Sequence, residues 1–156
     1  MTIKTWVITD TKSEDHLESL VVTSNNLSDT PADFSIIKKT LRGGLSAGVE
    51  VLQVNNGKLQ FDLLLTRGMS LAAATIGGMK FGWHSPVRGP VHPKFVNLHE
   101  PSGLGWLDGF DEMMVRCGLE SNGAPEFDSE TNNLKYCVHG RIGNKPADQV
   151  VVTVDT

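Results

Sequence analysis

The sequence predicts an all-β fold, and three observations carry that prediction. From Phe34 onward the chain breaks into five short runs, FSIIKKTLRGG, AGVEVLQVNNG, KLQFDLLLTRG, LAAATIGG and MKFGWHSP, most of them closed by glycine or asparagine. VEVLQV, then NNG, then KLQFDLLL is a hairpin signature, because Asn and Gly tolerate the left-handed φ values of tight turns. Within GVEVLQV, Val49, Val51 and Gln53 face one way while Glu50, Leu52 and Val54 face the other, so both faces are partly apolar, as expected of a strand between layers.

Residues 1–33 are polar and mixed and read as a lead-in segment. Ser13 to Leu20 has the form of a short helix start, with Ser13 as cap and acids in the first turn. Asn25-Asn26, Ser28-Asp29 and Thr30-Pro31 mark turns. After the hairpin, Thr75-Ile76-Gly77-Gly78-Met79-Lys80 reads as the next one. Residues 84–103 then hold four prolines and three histidines. Proline lacks a ladder donor, so this is no central strand, and long ordered loops in compact domains are usually functional. WLDGFDEMM reads as one helical turn, VRCGL and NLKYCVHG as strands, and VVVTVDT at 150–156 as a last strand. That last run has no partner downstream, which suggests the front part of a longer β protein or self-association through unpaired strand edges.

The 156 residues suit a single domain, with 39% hydrophobic content beside 16 glycines and 21% charged residues. A net charge of −4 and a pI near 5.7 give no electrostatic reason to expect nucleic acid or an anionic membrane as partner. No apolar run approaches the roughly 18 residues of a membrane span. MTIKTWVITDTKSEDH lacks the apolar core of a signal peptide, so the cytoplasm is the default location. Cys117 and Cys137 sit inside apolar runs at no zinc-framework spacing and read as buried structural thiols.

Chemistry concentrates between Gly103 and Asn144, where Trp106, Asp108, Asp111, Glu112, Arg116, Cys117, Glu120, Asn122, Glu126, His139, Arg141 and Asn144 stand among glycine turns. This stretch reads as a pocket wall. Arg67 ends an apolar strand, and its fork of donors suits paired oxygens such as vicinal hydroxyls; a surface arginine at a strand end is the competing reading. Trp83 and Trp106 are flanked by turn residues, so each is either the floor of a sugar site or a core aromatic. His84, His92 and His99 share the proline-rich excursion, but no register puts them on one face for zinc. His139 lies where a strand gives way to a glycine turn beside Arg141, a cation expected to lower its pKa and leave it exchanging protons near neutrality. Glu120 and Glu126 are the carboxylates at strand-to-turn exits. GxSxG, P-loop and GxGxxG motifs are absent from the sequence.

LLTRGMSLAAATIGGMKFGWHSP, GPVHP, GLGWLDGFDEMMVRCGLESNGAP and HGRIGNKPA, in that order, resemble the DUF4432 family, over roughly residues 34–148. That family is grouped with aldose 1-epimerases and the galactose mutarotase-like β-supersandwich. The resemblance implies that residues 34–156 are the N-terminal portion of such a sandwich. It further implies a cytoplasmic isomerase-like protein of carbohydrate metabolism, with no cofactor and no metal. His139 resembles a histidine of the sugar site that protonates the ring oxygen, and the glutamate base of the better-known mutarotases comes later in the chain than Thr156. Arg67, Trp83, His92, Trp106, Arg116, Glu120, Arg141 and Asn144 are the candidate sugar-binding residues. Ser70 and Glu120 depart from the acidic residue and the aspartate expected at their positions. The alternatives are a sugar-binding module without catalysis and a cupin-like metal enzyme built on His84, His92 and His99.

Overall fold

The turn chemistry of the sequence largely decides where strands begin and end. In the computed structural model, which describes residues 3–27, 30 and 33–155, Asn55 Oδ1 accepts from the Gly57 N–H at 2.8 Å and Asn56 Oδ1 from that of Leu59 at 2.8 Å. With Gly57 at φ +85°, these bonds close the expected hairpin. The strands in order are β1 Ile3–Asp10, β2 Asp15–His16, β3 Leu20–Thr23, β4 Ser35–Thr40, β5 Glu50–Asn55, β6 Leu59–Leu64, β7 Ser70–Ile76, β8 Met79–Phe81, β9 Glu126–Phe127, β10 Leu134–Tyr136 and β11 Gln149–Asp155. The only helical elements among the described residues are short 3-10 turns, and no helix there is long and apolar enough to cross a membrane.

Strands β3 to β8 form a six-stranded antiparallel meander in chain order, and β11, β1 and β2 form a second sheet. The two sheets pack face to face. Ile8, Val150 and Val152 of the smaller sheet meet Val22, Ile36 and Leu52 of the larger, and Leu65 just past β6, in one apolar core. Alternation follows directly: Val150 and Val152 are buried while Val151 between them is exposed. Ile8 is the extra residue of a bulge between Val7 and Thr9, and it is fully buried. On its other face the meander buries Val49, Val51 and Leu64, as the alternation in GVEVLQV requires.

Five readings of the sequence are corrected. VVVTVDT has a partner, because β11 pairs antiparallel with β1 from Ile3↔Asp155 to Asp10↔Gln149; a search for downstream partners misses a strand supplied from the other end of the chain. Thus the lead-in residues contain β1 and β3, one in each sheet. Ser13 to Leu20 forms a turn and β2 instead of a helix. Asp10 Oδ1 accepts from the Lys12 N–H, Ser13 Oγ donates to Asp15 Oδ2, and Glu14 sits at φ +60°. Local side-chain bonds of this kind compete with helix formation. VRCGL makes no strand, since Gly118 and Leu119 both adopt positive φ, and in this region Cys117 is exposed whereas Cys137 is buried. The turns expected at Asn25-Asn26 and at Thr75–Lys80 are present, while Ser28, Asp29 and Pro31 lie outside the described residues.

Lys38 is a buried cation on the inner side of β4. Its Nζ donates to the Leu17 carbonyl at 2.6 Å and to Glu50 Oε1, which also lies 3.2 Å from His16 Nε2. This ties the β2–β3 connection to the meander.

Candidate functional site

The site begins where β6 ends. Apolar alternation stops at Leu65, and Arg67-Gly68-Met69 makes a turn in which Gly68 (φ +63°) and Met69 (φ +58°) are both left-handed. A side chain at Gly68 would place its Cβ 2.5 Å from the Ile142 carbonyl oxygen. The glycine therefore lets residues 142–145 close in, sealed by the Gly68 N–H to Lys145 carbonyl bond of 2.7 Å. That close approach brings Asn144 to Arg67.

Arg67 is completely buried, and so is Glu112. Arg67 Nε donates to Glu112 Oε1 at 2.6 Å, while Nη1 donates to the Val91 carbonyl at 2.9 Å and to Asn144 Oδ1 at 3.0 Å. Glu112 Oε2 accepts from the Asp111 N–H at 3.1 Å. Gly109 leaves room for the guanidinium, since a Cβ there would stand 3.1 Å from Nη1. The surface-arginine reading of Arg67 is thereby excluded. Four buried polar atoms in this neighbourhood have no hydrogen-bond partner in the protein: Arg67 Nη2, Trp106 Nε1, Asn144 Nδ2 and Asp111 Oδ1. Orphaned groups of this kind cost about 1–3 kcal/mol each, so their clustering invites a functional explanation.

Aromatic rings line the cluster in sequence. The Trp83 and Phe110 rings are 4.9 Å apart, Phe110 and Trp106 4.7 Å, and Trp106 meets His139 edge-on at 4.9 Å. Trp106 is only 3% exposed and sits in the 3-10 turn Gly105–Gly109, which is the helical turn expected of WLDGFDEMM. Trp83 is 46% exposed, and its Nε1 donates to the Glu112 carbonyl at 3.0 Å. It borders a cleft of about 300 Å³ with Ala72, Ala73, Lys80, Gly82 and His84. A larger groove of about 470 Å³ runs between hairpin tips near Asn55 and Gly77, away from these groups.

His139 is half-buried at φ +57°. Its backbone N–H donates to the Gly123 carbonyl at 3.0 Å, and its Nδ1 accepts from the Gly123 N–H at a long 3.4 Å. With Nδ1 an acceptor, the neutral ring carries its hydrogen on Nε2. Arg141 faces elsewhere: its Nε donates to Glu120 Oε2 at 2.8 Å and its Nη2 to Glu120 Oε1. This fork holds the Glu120 carboxyl below the usual range and raises Arg141. The pair borders a cavity of about 160 Å³ with His99, Tyr136 and Cys137.

His92 caps the turn Pro93–Phe95 through Nδ1, which accepts from the Lys94 N–H at 3.1 Å, and its ring packs on Gly48. Burial, then the charges of Lys94 and Arg67, lower its pKa. Arg116 and Glu126 are exposed. The fold therefore gathers Arg67, Trp106, Asn144, His139 and, through Phe110, Trp83; it sets Glu120 and Arg141 aside as a pair, and leaves Arg116 outside. No group of three or more His, Cys, Asp or Glu side chains arranged to hold a metal ion occurs among the described residues. Asp111 and Glu112 gain a role that spacing did not give them; the signal was an adjacent acid pair directly after an aromatic in GFDEMM.

The sandwich and its polar core define an aldose 1-epimerase-like β protein. Over 99% of its length the chain matches a crystal structure from Klebsiella pneumoniae described as a "putative aldose 1-epimerase", with a TM-score of 0.91 and 39% sequence identity, and it spans 40% of that chain. The family described as "Domain of unknown function (DUF4432)" matches residues 46–156, and the chain belongs to it. A comparison with curated proteins gives no match.

Proposed function

We propose that the chain is a carbohydrate-binding, aldose 1-epimerase-like protein that interconverts the anomers of an aldose or sugar derivative by acid–base ring opening. The observation that carries this reading is His139. A non-glycine residue held in the left-handed region costs on the order of 1–3 kcal/mol and persists where the surroundings impose it, often at functional sites. Here the Gly123 backbone imposes it from both sides, engaging Nδ1 and leaving Nε2 as the free position on a half-buried ring against Trp106. The fold also buries three unpartnered donors, Arg67 Nη2, Trp106 Nε1 and Asn144 Nδ2, of the kind that sugar hydroxyls accept from. In this reading the protonated His139 ring gives a proton to the ring oxygen while the O1–H proton passes to a carboxylate base, the O1 electron pair forms the aldehyde C=O as the bond from C1 to the ring oxygen breaks, C1 turns, and reclosure as the other anomer returns both protons. The partner is a small-molecule carbohydrate in the cytoplasm, and the net charge of −4 gives nucleic acid no foothold.

Anomer interconversion followed by NMR saturation transfer over a panel of aldoses tests the proposal. His139→Ala is expected to lower turnover by about 10²–10⁴-fold with little change in sugar affinity. Unchanged turnover in His139→Ala would remove the acid from the mechanism. Saturable binding without any interconversion in the wild type would leave a sugar-binding module.

A further inference from the structure

A histidine that delivers a proton must have its ring held still, and the chain around His139 is built from turns. Gly118, Leu119, Gly123, His139 and Gly140 all sit at positive φ, so two turns rich in left-handed residues meet beside the ring. Those turns are joined at several points. Gly123 grips His139 through both its N–H and its carbonyl. Ser121 Oγ donates to the Cys137 carbonyl at 3.3 Å. Gly140 lets the two backbones close, since a Cβ there would stand 3.2 Å from the Ser121 carbonyl oxygen. The remaining tie is ionic. Arg141 Nε donates to Glu120 Oε2 at 2.8 Å, and Nη2 donates to Glu120 Oε1. With side chains 31% and 55% exposed, Glu120 and Arg141 close the same gap from the solvent side.

We propose that Glu120 and Arg141 are positioning residues for His139, a clasp that holds the 118–123 turn against the 139–141 turn so that Gly123 keeps its grip on Nδ1. This rests on the function proposed above, because the clasp serves the proton that Nε2 delivers. The geometry fits that task better than the sugar-binding role the sequence suggests for each residue. Both Glu120 oxygens and two of the three Arg141 nitrogens are spent on one another. Neither side chain therefore keeps a paired grip for vicinal hydroxyls. The hydrogen bonds from Arg141 also hold the Glu120 carboxyl below the usual range, aided by the Arg141 and Lys145 charges, so the clasp stays charged near neutral pH. Without the clasp, the long 3.4 Å bond from the Gly123 N–H to Nδ1 is the weakest tie left on the ring.

Glu120→Ala, Arg141→Ala and the double variant test the clasp by two readings. In the saturation-transfer assay each is expected to lower turnover by about 10-fold, with the Michaelis constant within a few-fold of wild type. The double variant should do no worse than either single one, since all three remove the same contact. Amide hydrogen exchange reads the turns without any sugar. The His139 N–H, which donates to the Gly123 carbonyl, should exchange about 2–5-fold faster in all three variants, while the amides of β4 and β5 keep their wild-type rates. Faster exchange throughout would show only a global loss of stability and overturn the clasp, as would unchanged exchange at His139. A Michaelis constant raised at unchanged turnover would make the two side chains sugar ligands and overturn the assignment alone. Absence of interconversion in the wild type overturns the proposed function and the assignment together. Should the alanine variants fail to fold, Arg141→Lys decides, because lysine keeps the charge and loses the fork: wild-type exchange at His139 in that variant refutes the proposal.

Discussion

Arg67→Met is the perturbation that separates a buried ion pair from a packing residue. The guanidinium and the Glu112 carboxylate are both fully buried and are joined at 2.6 Å. Methionine keeps most of the volume but leaves the buried Glu112 carboxyl facing an apolar side chain. Breaking a buried pair from one side costs about 3–5 kcal/mol. A domain of this size has only about 5–15 kcal/mol in total. At roughly 2–4 °C per kcal/mol, Tm should fall by about 6–20 °C. The double variant Arg67→Met/Glu112→Leu removes both charges, and such replacements are often neutral or stabilising. It also loses the bonds from Arg67 to Val91 and Asn144 and from Asp111 to Glu112, at about 1 kcal/mol each. The double variant should accordingly be more stable than the single one, despite carrying one more change. Urea unfolding followed by tryptophan fluorescence reads both, since Trp106 is 3% exposed and sits in the turn whose Gly109 lies against the Arg67 guanidinium. A cost below about 1 kcal/mol in Arg67→Met, or a double variant no better than the single, would refute the reasoning.

Two further outcomes are expected, both read by denaturant midpoint. Gly68→Ala should cost more than Gly77→Ala, although both glycines have positive φ, because only the first meets a neighbour, the Ile142 carbonyl at 2.5 Å; equal costs would show that residues 142–145 are not held by this contact. Ile8→Ala should cost about 2–5 kcal/mol and the exposed Val151→Ala within about 0.5; a small loss at Ile8 would mean that the two sheets do not share one core.

The meander was legible because its information is local. Asn55, Asn56 and Gly57 dictate a turn through their own side chains and φ values, and the alternation in GVEVLQV survives as two buried faces. The second sheet was illegible for the opposite reason. Nothing near Gln149–Asp155 indicates that its partner is Ile3–Asp10, at the other end of the sequence. Ser13 to Leu20 shows the related hazard: acids near a serine satisfy a helix-start pattern, yet Asp10 and Asp15 use the same oxygens to fix a turn between β1 and β2.

The site divides along the same line. His139 was legible because a strand exit, a histidine and a glycine are neighbours in sequence. Arg67 was visible as a residue but not as half of a pair, since Glu112 lies 45 positions away and Asn144 is farther still. The arginine beside His139 was the tempting partner in sequence, and it is bound instead to Glu120, 21 positions back. Sequence adjacency puts two backbones together; which way the side chains face is set by turns such as Gly68, Gly118 and Gly140, all at positive φ. In the sequence those glycines look like loop punctuation, but Gly68 acts through the space it leaves: it admits the 142–145 carbonyls to the Arg67 turn. The chemistry of the site therefore depends on a residue with no functional group at all. Its signature in sequence is only that the glycine directly follows the arginine.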